Sequence, residues 1–282
     1  MIDSTFILLQ GVGQVTERRW WDAGIATWRE FHISPAIPGL SAARKRWYDE
    51  ALRAASDALA RQDAAFFAGC LRPKDHWRLY PLFRDRALFL DIETTGGDPG
   101  PGAVTLVGAA RTDGSVVQLI EGRDLTGTRL ADLLAATPML VTFFGSVFDV
   151  PFLARTFDAV PTPPLHMDLC FAARRLGLTG GLKQIEQRFD LDRESDLIGL
   201  DGWDAVLLWQ RWQQGDNAAL DRLLRYNRAD TVNLIELADR LYASLVAQCG
   251  LPQRHPAECD HARGQLALIR RSHAAIPLGD SV

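Results

Sequence analysis

The sequence predicts an α/β protein: a mixed sheet flanked by helices, carrying an N-terminal helical extension. Three observations lead there. Four apolar, β-prone runs lie near residues 86–91, 104–110, 115–121 and 139–144, and a further short strand is left open. The Asp98–Gly102 turn and Thr112-Asp113-Gly114 separate the first three runs, the pattern of an antiparallel meander. Around Leu220, Leu223, Leu224, Leu234 and Leu237, apolar residues recur mostly at three- and four-residue steps, as on one helix face. The chain divides into a helical extension at 1–84, the sheet domain at 85–248 and a C-terminal tail at 249–282.

The extension begins with Leu9-Gln10-Gly11-Val12-Gly13, which leads through Glu17-Arg18-Arg19 into Trp20. One reading is a start like a helix-hairpin-helix, whose turn offers backbone amides and a helix N-terminus to a duplex or single-strand phosphate. The other is a small helical cap with a local core of Trp20, Trp21, Trp28 and Phe31. Barely ten residues precede Gly11, which is short for the first helix of that motif. Ser34-Pro35-Ala36-Ile37-Pro38-Gly39 is a turn-rich break. Residues 41–69 then read as one long Ala-rich helix, with Trp47, Leu52, Leu59 and Phe66 on a stripe that packs on the sheet domain. Arg44-Lys45-Arg46 reads first as a solvated helix face and second as a phosphate contact.

The sheet domain opens with Ala87-Leu88-Phe89-Leu90, followed by Asp91-Ile92-Glu93-Thr94-Thr95-Gly96. A strand alternates faces with a period of two, so Asp91 and Glu93 project from the same side. Two like charges at a buried strand end are costly unless neutralised. Mg²⁺ or Mn²⁺ suits such oxygen-rich clusters, and the alternative is a solvated acidic turn. The run Met139–Phe144 is followed by Gly145-Ser146-Val147-Phe148-Asp149, which sets a third carboxylate beyond a strand and before a helix through Phe152, Leu153 and Phe157. His166-Met167-Asp168-Leu169 predicts the start of a helix ending near Gly177, with Asp168 as a helix-start acid or an outer partner of the site. A further helix is predicted over residues 182–189. In the last helix Tyr226 and Asp230 are four residues apart, hence neighbours on one face.

Taken in order, D-I-E-T-T-G, then F-D, then Y-x-x-x-D resembles the DEDD 3′–5′ exonuclease superfamily, in the branch with tyrosine in the third motif. The branch with histidine would place it five residues before the last aspartate, where this chain has Arg225. The segment Tyr226-Asn227-Arg228-Ala229-Asp230-Thr231-Val232-Asn233-Leu234 most resembles the YprB-type ribonuclease H-like domain, and the resemblance runs from about Arg86 to about Leu245. It implies a ribonuclease H-like fold and metal-dependent exonucleolysis of single-stranded DNA or RNA from a free 3′ end, releasing nucleoside monophosphates. It also implies two divalent cations, Mg²⁺ or Mn²⁺, roughly 3.5–4 Å apart. Asp91 would bridge them, Glu93 and Asp230 would complete the nucleophile-side site, and Asp149 would hold the second ion, partly through water. Tyr226 would orient the attacking water, because a phenol with a pKa of about 10 is a poor base at neutral pH. Thr94, Thr95, Gly96 and Phe148 are the expected substrate contacts, together with Lys183, which like Arg188 is a candidate to face the strand. One departure stands out: the family's second motif reads N-G-x-x-F-D, and here the asparagine position is Phe144. A catalytically weak or inactive nucleic-acid-binding module on the same fold, and a structure-selective endonuclease, therefore stay open beside the exonuclease.

Composition fits a folded protein: 282 residues, 47% hydrophobic, net charge −4. The charge is uneven: residues 1–86 hold 13 Lys/Arg against 10 Asp/Glu, and the remainder 18 against 25. Some of that acid is the carboxylate set, which bound cations would offset. No apolar run reaches the roughly 18 residues of a membrane span, and Met1-Ile2-Asp3-Ser4 does not open a signal peptide, so a cytoplasmic setting is expected. Cys70, Cys170, Cys249 and Cys259 are expected to be reduced thiols. Cys249, His255, Cys259 and His261 match no common zinc spacing.

Overall fold

Helix caps set the path of the extension. The computed structural model describes residues 1–100 and 102–250. A single 3-10 turn, Ile2–Ser4, precedes α1 (Gln14–Asp22), with no longer first helix before it. Next is α2 (Trp28–Ile33), opened by a capping box in which Thr27 accepts from the Glu30 amide and Glu30 answers the Thr27 amide. Phe6, Trp20, Phe31 and Tyr48 stack together, with ring centroids 5.3–6.5 Å apart. Each such pair adds roughly 0.5–1.5 kcal/mol beyond the area it buries. Beneath them Glu17 and Arg78 form a bidentate ion pair at 2.8–2.9 Å, both side chains 1% exposed. Glu17 also accepts the amides of Phe6 and Ile7.

The single helix expected over 41–69 is two. Its first part, α3 (Ala42–Ala60), stops where Gln62 takes a left-handed backbone at φ 52°. Asp63 then caps α4 (Ala64–Cys70) by accepting from the Phe66 amide. A side chain that captures its own backbone competes with helix continuation, which is why Asp63 starts a new helix. A 3-10 stretch, Pro73–Leu79, and α5 (Tyr80–Phe83) lead to the sheet.

The sheet has β1 (Leu88–Thr94), β2 (Val104–Ala110), β3 (Val116–Ile120), β4 (Met139–Thr142) and β5 (Leu165–Asp168) in the order β3-β2-β1-β4-β5. Strands β1 to β3 form the expected antiparallel meander, and β4 and β5 continue it in parallel with β1. The helix expected from His166 is corrected here: Leu165–Asp168 is the edge strand, and α8 (Leu169–Arg175) starts only after it. Its edge is covered by the extension, where His76 Nδ1 accepts from the His166 amide at 3.2 Å.

One face of the sheet buries Leu88, Leu90, Ile92, Val107 and Leu140 against α6 (Gly127–Ala135) and α7 (Asp149–Thr156). The other carries α10 (Gly202–Gln213) and α11 (Asn217–Cys249), with α9 (Leu182–Arg188) packed on α11. There Leu106 and Ile120 pack with Leu208, Trp209, Leu223 and Tyr226. Among the described residues no helix is long and apolar enough to cross a membrane, and Cys70, Cys170 and Cys249 form no disulfide. Cys259, His255 and His261 lie outside the described residues.

Candidate active site

Strand β1 sends Leu90 and Ile92 into the α6–α7 core, so Asp91 and Glu93 leave the sheet on the opposite face, toward α11. Helix α11 crosses that face with Tyr226, Asn227, Asp230 and Thr231 buried beneath it. The approach is close because β2 offers Gly108 opposite Asp91. A Cβ at Gly108 would stand 2.1 Å from Asn227 Oδ1 and 2.4 Å from Thr231 Oγ1.

The result is a carboxylate trio: one oxygen each of Asp91, Glu93 and Asp230 lies within 4.8 Å of the others. Glu93 Oε1 and Asp230 Oδ1 are buried and accept no hydrogen bond. Burial, and then the charge of the neighbouring carboxylates, raises the pKa of Asp91 and Glu93 well above the ordinary range. Asp149, the first residue of α7, is buried nearby but lies outside the trio. Burial pushes its pKa up to about 7, against the pull of the Asp149 and Ile92 amides. Burial among like charges favours the protonated forms of Asp91, Glu93 and Asp149, while Asp230 faces the Arg193 guanidinium. An oxygen-only set of this kind suits a hard divalent cation, and these residues fit one.

Several partners hold the trio. Asn227 Nδ2 donates to Asp91 Oδ2 at 3.2 Å, and Gln118 donates to Asn227 Oδ1 at 3.1 Å. Lys183 donates to the Tyr226 phenol oxygen at 2.5 Å and lies 4.4 Å from that ring's centroid. Burial first, and then the Asp230, Glu93 and Asp91 charges, push the Tyr226 phenol far above its ordinary pKa. Arg193 sits between Glu186, at 2.7 Å, and Asp230 Oδ1, at 2.5 Å. The contact to Glu186 is a bidentate hydrogen bond; the one to Asp230 is an ion pair without hydrogen-bond alignment.

Asp168 is the helix-start acid that one of its sequence readings expected. It caps α8 through the Cys170 amide and accepts the Phe144 and Ser146 amides and the Ser146 hydroxyl, so it fixes the loop that leads to Asp149. Phe144 has φ 66°, a left-handed backbone that asparagine adopts far more readily than phenylalanine. Its ring faces Phe171 at 6.4 Å.

The expected substrate contacts are spread along the rim. Thr94 is half-buried, while Thr95 and Gly96 are exposed at the end of β1. Phe148 is 43% exposed and packs on Phe152. Lys183 is turned onto Tyr226, and Arg188 is exposed. Sequence reasoning missed Arg193, the bond from Asn227 to Asp91, and Trp203, whose 63% exposed indole lies beside Gly96. An exposed tryptophan one residue inside a helix start was a readable signal; Arg193 gave none, because its partners come from other elements.

A sheet that meets one helix across a carboxylate trio, two of its members buried and Asp91 partly so, defines an α/β domain built around an acidic centre. Residues 88–242, more than half the chain, match the model of the RNase_H superfamily, and the chain belongs to that superfamily. Among solved structures it is similar to the apo form of a nuclease, with 21% identity over 63% of this chain and 79% of that one and a TM-score of 0.41. It is also similar to the EXO domain of Nibbler from Aedes aegypti, with 19% identity over 66% and 88% and a TM-score of 0.38. Brucella melitensis NrnC with bound Mg²⁺ is similar at 18% identity over 63% and 92%, with a TM-score of 0.30. No curated protein matches the chain.

Proposed function

We propose that this protein is a metal-dependent 3′–5′ exonuclease of the DEDD type with tyrosine in its third motif, closest to the YprB-type domain. Its substrate is single-stranded DNA or RNA with a free 3′ end, and its products are nucleoside monophosphates. The observation that carries the reading is the trio of Asp91, Glu93 and Asp230, in which the buried Glu93 Oε1 accepts no hydrogen bond. Two divalent cations, Mg²⁺ or Mn²⁺, held by Asp91, Glu93, Asp149 and Asp230 would activate the attacking water and offset charge on the phosphate.

The chain's own groups supply the rest. Asn227 fixes the rotamer of Asp91, so that carboxylate is positioned before anything binds. Tyr226 receives a hydrogen bond from Lys183 and keeps its own proton, so it orients water and does not deprotonate it. Thr94, Thr95, Gly96 and Phe148 would contact the strand, and Trp203 beside Gly96 offers a face on which a base stacks.

The Arg193 guanidinium on Asp230 favours a second reading, a weakly active or inactive nucleic-acid-binding module. The two separate when 5′-labelled single-stranded DNA and RNA are incubated with Mg²⁺ or Mn²⁺. A ladder shortening from the 3′ end, abolished by Asp91→Ala, supports the exonuclease. Retention without cleavage supports the binding module, and internal cuts indicate an endonuclease.

A further inference from the structure

Beside the loop that leads to Asp149 is a cavity of about 590 Å³, within the roughly 300–1,000 Å³ of small-ligand sites. One wall belongs to the sheet domain: Ser146, Phe171, Arg174 and Arg175. The facing wall is Lys74 and Trp77, from the 3-10 stretch of the extension. Its chemistry is flat rings interleaved with cations. Arg174 lies 5.2 Å from the Phe171 ring and 6.0 Å from the Phe144 ring, and Arg175 lies 5.7 Å from the Trp77 ring.

The charges there are largely unspent. Arg175 is paired with Asp75 at 3.1 Å, but neither Arg174 nor Lys74 forms an ion pair among the described residues. The one carboxylate in the wall, Asp168, has both oxygens occupied by the Phe144, Ser146 and Cys170 amides and the Ser146 hydroxyl. Aromatic faces bind bases without regard to sequence, and free cations track the phosphates between them. Ser146 and Asp168 line the cavity and are hydrogen-bonded to each other, so its wall includes the loop that carries Asp149 three residues on.

We infer that this cavity is a nucleotide subsite, which seats a base and phosphate of the strand being shortened, some nucleotides along from the bond that is cut. The inference rests on the exonuclease reading above. It also gives the extension a part in binding that its N-terminal glycine turn does not require.

The test uses the full chain and 5′-fluorescein oligo-dT and oligo-U of two to twelve nucleotides with Mn²⁺. Steady-state KM should fall as the oligonucleotide becomes long enough to enter the cavity. Phe171→Ala, Arg174→Glu and Lys74→Glu should each raise KM for the longer strands by about tenfold or more, the effect of losing one stacking or phosphate contact. Dinucleotide kcat and KM should stay unchanged, which also shows that the variants fold. The inference is overturned if the variants leave the length dependence intact, or if they impair the dinucleotide equally. It is also overturned if they weaken only product inhibition by free nucleoside monophosphate, since the cavity then serves the released product. Absence of wild-type cleavage at every length would remove the exonuclease reading itself, and the subsite with it.

Discussion

At the scale of single residues, the cost of the site is set by carboxylates taken out of water next to one another. Asp149 shows it most simply, with burial raising its pKa to about 7. A carboxyl whose folded pKa exceeds its unfolded value of about 3.9 binds more protons folded than unfolded between the two. Stability from this group therefore falls as pH rises from about 4 to about 7, and is flat above. In chelator, Asp149→Asn should stabilise the protein increasingly over that window, read as the difference in Tm from wild type at each pH. With saturating Mn²⁺ the sign should reverse, because wild type then gains binding free energy that the variant lacks. A difference independent of pH would contradict an ionised, buried Asp149. Tyr226 gives the second residue-scale test. Its phenol stays protonated, so Tyr226→Phe should slow cleavage by about 10²–10³-fold, the loss of one preorganised donor, while the rise of rate with pH survives. A pH profile flattened by the substitution would mean that the phenol titrates as a base.

Elements bring these residues together, and the closest juxtaposition is β2 under α11. Gly108→Ala puts a methyl group into Asn227 and Thr231, so the helix must move or the strand must bend. The expected cost is about 1–3 kcal/mol in urea unfolding, with cleavage lost, since Tyr226 and Asp230 ride on the displaced helix. Gly69→Ala, whose Cβ would meet nothing within 4 Å, serves as the control. An active Gly108→Ala would show that the helix need not press on the sheet. This contact also marks the boundary of what the sequence could tell. Asp91 with Glu93, and Tyr226 with Asp230, were legible because each pair obeys a local period, two in a strand and four on a helix. Gly108 carries no side chain to read, and its importance exists only once α11 lies across β2. Arg193 was opaque for the same reason, as Glu186 and Asp230 reach it from α9 and α11. The edge strand Leu165–Asp168 alternates apolar and polar residues, but over only four residues, too short for the period of two to stand out against a helix start. The break between α3 and α4 had a signal in Asp63 before an apolar run, outweighed by the alanine content around it.

The molecule as a whole holds the extension and the sheet domain together through residues 1–250, one compact unit. Tyr80 and Arg84 both hold Asp239 of α11, at 2.6–2.8 Å, and Arg18 donates to the Cys249 carbonyl at 2.6 Å. Inside the extension the buried Glu17–Arg78 pair is the most vulnerable point. Glu17→Gln leaves Arg78 without a counter-charge, and breaking a buried pair from one side costs about 3–5 kcal/mol. If the unit is cooperative, hydrogen exchange should quicken together in α1 and in α11, although the substitution lies only in the first. Exchange confined to α1 would indicate an extension that opens independently.

Helix α11 runs 33 residues, about 50 Å. Tyr226 and Asp230 sit on its first half, while Asp239, Tyr242 and Cys249 are gripped by the extension along its second. It therefore works as a ruler, read at both ends. One residue inserted between Asp230 and Asp239 would turn one set of marks by about 100° against the other. Either Asp230 or the anchorage would then face the wrong way, so the spacing between these two positions is fixed by geometry even where the intervening side chains are free to vary.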